Sequence, residues 1–291
     1  MLYLMLCRIL LTLSLAAGCV NAQSKPKKVF VDLDGEGMAG IFHVDTQVMP
    51  ITAPRYQESR RLQIGEVNAA IAGLFDGGAD IVEVADYHSG GNTVSPIEID
   101  KRAIVGPGRD NVMGLDRSYS AYVFIAYHSM AGTERGMIAH GWSWTDYENL
   151  WINGRKIGEV ATRALLAGSF DIPVIMISGD EAVCKELRGL VPNAECAVVK
   201  WGVHRTFGYA LSHQKSCETI RAAAKKAMSR LGEFKPVKID GPIELKVEFT
   251  PEGQSKARYQ RGDGVEQVDS RTWAFRGRNI TDAWFRFWPS F

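Results

Sequence analysis

Apolar and polar positions along this chain repeat at two different periods, and the changes of period mark its elements. Residues 29–32 form a short apolar run that ends in an acidic loop, which predicts a strand. Over residues 54–75 the apolar positions Ile64, Val67, Ile71 and Leu74 recur three or four apart, so this stretch predicts a helix, stopped by Gly77-Gly78. Residues 81–85 and 122–126 predict the next strands, 158–166 a helix, 174–177 a buried strand, 181–190 a helix and 197–199 another strand. A last long helix is expected over about 218–231, with Ile220, Ala224, Met228 and Leu231 on one side. This alternation implies an α/β fold: a mostly parallel sheet flanked by helices.

Beyond Pro236 the period changes. Ile243, Leu245, Val247 and Phe249 alternate strictly with polar residues, as in a strand with one face exposed. The expected organisation is an α/β domain over residues 23–240 with a small C-terminal α+β appendage, 241–291, belonging to the same unit. No internal repeat or low-complexity segment interrupts it.

The first 22 residues read differently. Arg8 precedes an apolar run over 9–17, then small residues and Val20-Asn21-Ala22, close to an A-x-A cleavage site. The run is short of the ~20 apolar residues of a membrane span, so an exported chain, periplasmic or secreted after cleavage, is expected. Lipid attachment at Cys19 is the alternative. No later segment is apolar enough to span a bilayer.

Composition narrows the partners. The 291 residues are 46% hydrophobic and 23% charged, with 34 basic against 33 acidic side chains, as in an ordinary folded protein. Losing the leader removes one arginine and leaves a formally neutral chain, which argues against nucleic acid as a partner. Cys184, Cys196 and Cys217 remain. Their spacing is not that of a metal ribbon; they read as ordinary buried cysteines, although the 12-residue spacing from Cys184 to Cys196 would allow a disulfide between a helix and the next strand.

Open α/β sheets place ligands at the carboxyl ends of their strands, and those are the positions that carry chemistry here. Asp32-Leu33-Asp34-Gly35-Glu36-Gly37 follows the first predicted strand, Asp86-Tyr87-His88-Ser89 the second and Tyr127-His128 the third. Any one of these is an ordinary polar turn. Together they bring Asp, Glu and His, the ligand types of zinc and related divalent metals, to one rim. His140 in a Gly-flanked loop and Glu159 at a predicted helix start add an imidazole and a carboxylate, although a helix-start glutamate also complements the helix dipole.

The stretch from Val31 through Asp34-Gly35-Glu36-Gly37 to Gly40, with Asp86-Tyr87-His88-Ser89, Tyr127-His128, His140-Gly141, and Trp151 to Gly154 leading to Gly158-Glu159, resembles the zinc-dependent D-aminopeptidases of the dipeptide-transport-operon type. The resemblance extends through Val174 to Asp180 and to Val247-Glu248-Phe249, so it covers nearly all of the chain after the leader. It implies a centre of two divalent metal ions, zinc, held by Asp34, Glu36, His88, His128 and Glu159, with Asp34 bridging and His140 as the catalytic histidine. It implies a metal-dependent aminopeptidase that removes an N-terminal residue, a D-amino acid, from short peptides or amino-acid amides by activating water. A ring-like homo-oligomer follows from the same resemblance. Asp32 departs from the pattern, standing where a small hydroxyl is expected, and could orient a ligand or alter metal preference.

Three other readings start from the same residues. Asp32-Leu33-Asp34-Gly35, with Gly179-Asp180, is similar to the haloacid-dehalogenase phosphatases, but it leaves His88, His128 and Glu159 unused. Asp32, Asp34, Glu36 and Gly37 fit the opening of an EF-hand, yet His43 occupies its twelfth position and a strand precedes it. A non-enzymatic exported protein that binds metal or peptide at the rim is the third.

Overall fold

The computed structural model describes residues 25–91, 93–108 and 114–288. The leader expected over 1–22 lies outside the described residues, and none of the described helices is long and apolar enough to cross a membrane.

In chain order the elements are β1 (Lys28–Leu33), α1 (Tyr56–Asp76), β2 (Ile81–Asp86), β3 (Ile104–Pro107), β4 (Tyr119–Tyr127), β5 (Tyr147–Ile152), β6 (Arg155–Ile157), α2 (Glu159–Ser169), β7 (Val174–Asp180), α3 (Glu181–Arg188), β8 (Glu195–His204), β9 (Phe207–Ala210), α4 (His213–Ser229), β10 (Ile243–Phe249), α5 (Pro251–Lys256), β11 (Val265–Gln267), β12 (Thr272–Gly277) and α6 (Ile280–Phe287). A seven-stranded sheet has the order β3-β2-β1-β4-β7-β8-β9. All its pairs are parallel except β8 with β9, as the alternation of short strands and helices predicts. β4 and β7 are buried almost throughout, because helices cover both faces of a central parallel strand. α1 packs on α4, and α2 on α3.

The strand order reverses between β1 and β4, whose following connections lead to opposite sides of the sheet. At such a switch point the loops diverge and leave a crevice. The loops after β1, β2 and β4 therefore meet there.

A second sheet has the order β11-β12-β10-β5-β6. The half-buried β10 alternates as its sequence predicts, but the C-terminal segment does not build this sheet alone. β5 pairs antiparallel with β10, with Leu150 opposite Val247, so two of the five strands come from the middle of the chain. Tyr147 packs against Phe249 and Phe287, which ties the two parts together.

Two boundaries differ from the sequence reading by five residues. α4 begins at His213, five residues earlier than expected, because the Ser212 hydroxyl accepts from the Lys215 amide at 3.3 Å and caps it. β8 runs past Val199 because it continues into the hairpin with β9. Among the described residues Cys184, Cys196 and Cys217 are free thiols; the Cys196 sulfur lies 3.6 Å from the Cys184 carbonyl oxygen.

Candidate metal centre

The loop after β1 is held from several sides. The Asp34 amide donates to the Ile125 carbonyl at 2.9 Å and the Gly37 amide to that of Ala126 at 2.7 Å. The Gln63 amide group donates to the Asp34 carbonyl at 2.9 Å, and the Ala39 amide donates to the Glu66 carboxylate at 3.0 Å. Buried Lys200 donates to the carbonyls of Glu36 and Ile41. Both glycines of Asp-Gly-Glu-Gly are needed for close approach. A Cβ on Gly35 would lie 2.4 Å from the His88 ring, and one on Gly37 would lie 2.1 Å from the Tyr127 carbonyl oxygen.

The three histidine segments carry local backbone strain. Ser89, Ala126 and Ile138 have φ of 45°, 62° and 54°, a left-handed conformation unusual for residues other than glycine, and for β-branched Ile138 an outlier. They lie next to His88, just before His128 and just before His140. Strain of this kind collects where surrounding structure fixes a functional group. Asp86 is a loop organiser instead: its carboxylate accepts from the amides of His88, Thr93 and Val94.

Asp34, Glu36, His88, His128 and Glu159 are all buried and converge on one place. Potential ligand atoms of Asp34, Glu36 and His88 all lie within 4.8 Å of one another. Asp34 divides its two oxygens. Oδ1 lies 3.3 Å from His88 Nδ1, and Oδ2 lies 3.6 Å from His128 Nε2. His88 Nδ1 is also 3.1 Å from Glu36 Oε2, and His128 Nε2 is 3.4 Å from Glu159 Oε2. His128 Nδ1 is 2.9 Å from the Ser129 carbonyl oxygen, so a proton there leaves Nε2 as the inward ligand atom.

The electrostatics describe a site short of positive charge. Burial, then the neighbouring Glu36, pushes Asp34 up to about 8. Burial also opposes ionisation of Glu36, but the charge and hydrogen bond of His88 together with the His140 and His128 imidazoles outweigh it and hold Glu36 well below the usual carboxylate range. Burial disfavours charge on His88 and His128, yet the facing carboxylates raise His88 well above its ordinary value and His128 to about 10. Glu159 would likewise be raised by burial and is lowered by Arg163, then His128. The imidazoles thus carry protons where a cation would sit. Asp34 Oδ2 and Glu36 Oε2 are buried without a hydrogen bond of good geometry. Three carboxylates, two of them each with an oxygen left in that state, and two imidazoles are a donor set that fits divalent metal ions such as zinc.

His140 stacks on His128 at 3.8 Å between ring centres, with Trp144 edge-on at 5.3 Å. Its Nδ1 is 2.9 Å from the Ile138 carbonyl oxygen, which leaves Nε2 as the available nitrogen. Burial, then the charge on His128, lowers its pKa to about 4, so it is neutral at neutral pH. A cavity of about 240 Å³ opens over the cluster, lined by these residues together with Tyr87, Trp142 and Trp144. That volume admits a small or extended substrate end.

Asp32 is fully buried behind this cluster. It accepts from the hydroxyls of Tyr122 and Tyr127 and lies 3.1 Å from Arg163 Nη1. Asp180 caps α3 and accepts from the Met137 amide. Neither carboxylate faces the cavity, which removes the phosphatase reading's nucleophile and metal ligand. Sequence reasoning missed Arg163 and Lys200. The signals were a basic residue four positions after Glu159, hence on the same helix face, and a lysine closing the apolar run at 197–199.

A D-aminopeptidase family profile matches residues 27–288. The chain is 28% identical over 262 residues to a Bacillus subtilis protein named D-aminopeptidase, which spans 88% of this chain and 94% of that one. It also superposes, with a TM-score of 0.80 and 26% identity, on the structure of the Zn-dependent D-aminopeptidase DppA from Bacillus subtilis, described as a self-compartmentalizing protease. That match covers 89% of this chain and 95% of the other.

Proposed function

Since this chain belongs to the D-aminopeptidase family and is a metal-dependent aminopeptidase, we propose that it releases an N-terminal D-amino acid from short peptides or amino-acid amides with the help of two zinc ions. The observation that carries this reading is the division of Asp34. One of its oxygens faces the Glu36 and His88 side and the other faces His128 and Glu159, which supports a bridging carboxylate between two ligand sets.

Zinc held by Asp34, Glu36, His88, His128 and Glu159 would supply Lewis acidity and would lower the pKa of water towards neutrality. The remaining work belongs to the chain. Tyr87, Trp142 and Trp144 wall the cavity and exclude bulk water around the scissile bond. His140, neutral and held through Nδ1, has Nε2 available to move a proton towards the leaving amine or to stabilise a developing oxyanion. Self-assembly into a closed ring would restrict the sites to short substrates, and residues 1–22 would direct the chain out of the cytoplasm before removal.

The test is hydrolysis of D-alanyl and L-alanyl p-nitroanilides by the purified protein, before and after chelation and with zinc restored. Release that is D-selective, abolished by chelation and recovered with zinc is expected. Release from neither substrate in metal-loaded protein refutes the aminopeptidase reading, and L-selective release refutes its stereochemistry. Amino-terminal sequencing of the exported protein should begin at Gln23; an intact Met1 or a lipid-modified Cys19 would overturn the leader assignment.

A further inference from the structure

Arg163 is 2% exposed, in the second turn of α2, and four of its neighbours belong to the site or lie directly behind it. Its Nε and Nη2 donate to Glu159 Oε1 at 3.0 and 2.8 Å. Nη1 lies 3.1 Å from Asp32 Oδ2. Tyr87 lies across the guanidinium at 3.9 Å and Trp142 at 4.4 Å, and both rings line the cavity. Asp32 in turn is fixed by the Tyr122 and Tyr127 hydroxyls, so the fork cannot swing away from either carboxylate.

This arrangement gives Glu159 two unlike oxygens. Oε1 is saturated by the two guanidinium donors, while Oε2 faces His128 Nε2 at 3.4 Å. Two donors of one planar guanidinium converging on a single oxygen anchor Oε1 from a fixed direction, an arrangement that a lysine ammonium does not reproduce. Asp32 balances the arginine's charge, so Glu159 keeps its own negative charge for a cation. We infer that Arg163 is a positioning residue, oriented by Asp32, that presents Glu159 to the metal centre through Oε2 alone and sets the two aromatic walls of the cavity.

The inference rests on the metallopeptidase reading, and the experiment separates the two. Chelator-stripped protein is titrated with zinc against a chromophoric competitor, with elemental analysis and the melting temperature of each metal-free form. The proteins are wild type, Arg163→Met, Arg163→Met with Asp32→Asn, and Arg163→Lys. Arg163→Met alone leaves Asp32 buried without its counter-charge and should melt lower than wild type. The double variant removes both charges and should regain melting temperature, yet bind its weaker zinc roughly 10–100-fold less tightly, as for lost outer partners of metal ligands. Arg163→Lys keeps the charge without the fork and should show the same loss of zinc affinity, which keeps the inference testable if the double variant does not fold. Wild-type zinc affinity in the double variant, or in Arg163→Lys, would overturn it by reducing Arg163 to charge balance. A wild type that binds no zinc would instead overturn the metallopeptidase reading, and this inference with it.

Discussion

Asp34 is shared between two groups of ligands, whereas His140 stands beside them without a carboxylate of its own, so their removal should have different signatures. Asp34→Ala should lose bound metal and activity together; elemental analysis that still finds two metals per chain would refute the bridge. His140→Ala should retain metal and lose turnover by roughly 10²–10⁴-fold, the scale of a positioned proton-transfer group. Near-normal turnover would remove His140 from the mechanism. The rim itself was legible before any coordinates because Asp, Glu and His together follow successive predicted strands, whereas the role expected of each of these residues came from the family resemblance. Arg163, Lys200, Tyr122 and Tyr127 were not, since their roles depend on partners from 90 to 164 positions away or on a helix face that only the fold aims inward. Asp32 was noticed as a departure; its burial under two tyrosines was not foreseeable from a strand pattern.

At the scale of elements, α1 anchors the loop after β1 through Glu66, which accepts from the Ala39 amide and the Ser216 hydroxyl. Burial pushes Glu66 up to about 7 from its ordinary 4.5. The folded state therefore holds a proton that the unfolded state has released, and stability falls as pH rises from about 4.5 to about 7. The stabilising contribution is complete below that window and lost above it, by roughly 3 kcal/mol. Glu66→Gln in metal-free protein should flatten this part of the profile and melt higher than wild type at pH 8; an unchanged pH slope would show that Glu66 does not titrate there. The C-terminal helix α6 reaches the site differently, by packing Trp284 against Trp142 with tilted rings 4.7 Å apart between centres. Trp284→Ala should cost about 3–5 kcal/mol in denaturant unfolding and raise KM more than it lowers kcat, because it loosens a cavity wall. An unaltered KM would show that Trp142 is held without it. The parallel sheet was readable from runs of apolar residues and their turn signals. The second sheet was not, because Tyr147 to Ile152 gains its meaning only from Ile243 to Phe249, and β-pairing across such a distance leaves no local periodicity.

For the whole molecule, the sheet ends in the β8–β9 hairpin, where Trp201, Val203, Phe207 and Tyr209 are exposed. An edge strand carrying aromatics is an aggregation hazard unless something covers it, and a second copy in the proposed ring is the cover expected here. Scattering coupled to size exclusion should give a multiple of the chain mass, and Phe207→Ser with Tyr209→Ser should shift it towards the monomer. An unchanged mass would place the contact elsewhere. The turn of that hairpin meets the loop that carries His140, since the Ile138 amide donates to the Arg205 carbonyl at 2.8 Å and Arg205 lies over Trp144. The second sheet also sets an order of events. β5 and β6 are synthesised roughly a hundred residues before β10, and a closure of that length is slow compared with local pairing. Every proposed zinc ligand is therefore made long before the sheet beside them can close. An exported chain would cross the membrane with its metal centre still open, and would take its zinc from the compartment in which it finishes folding.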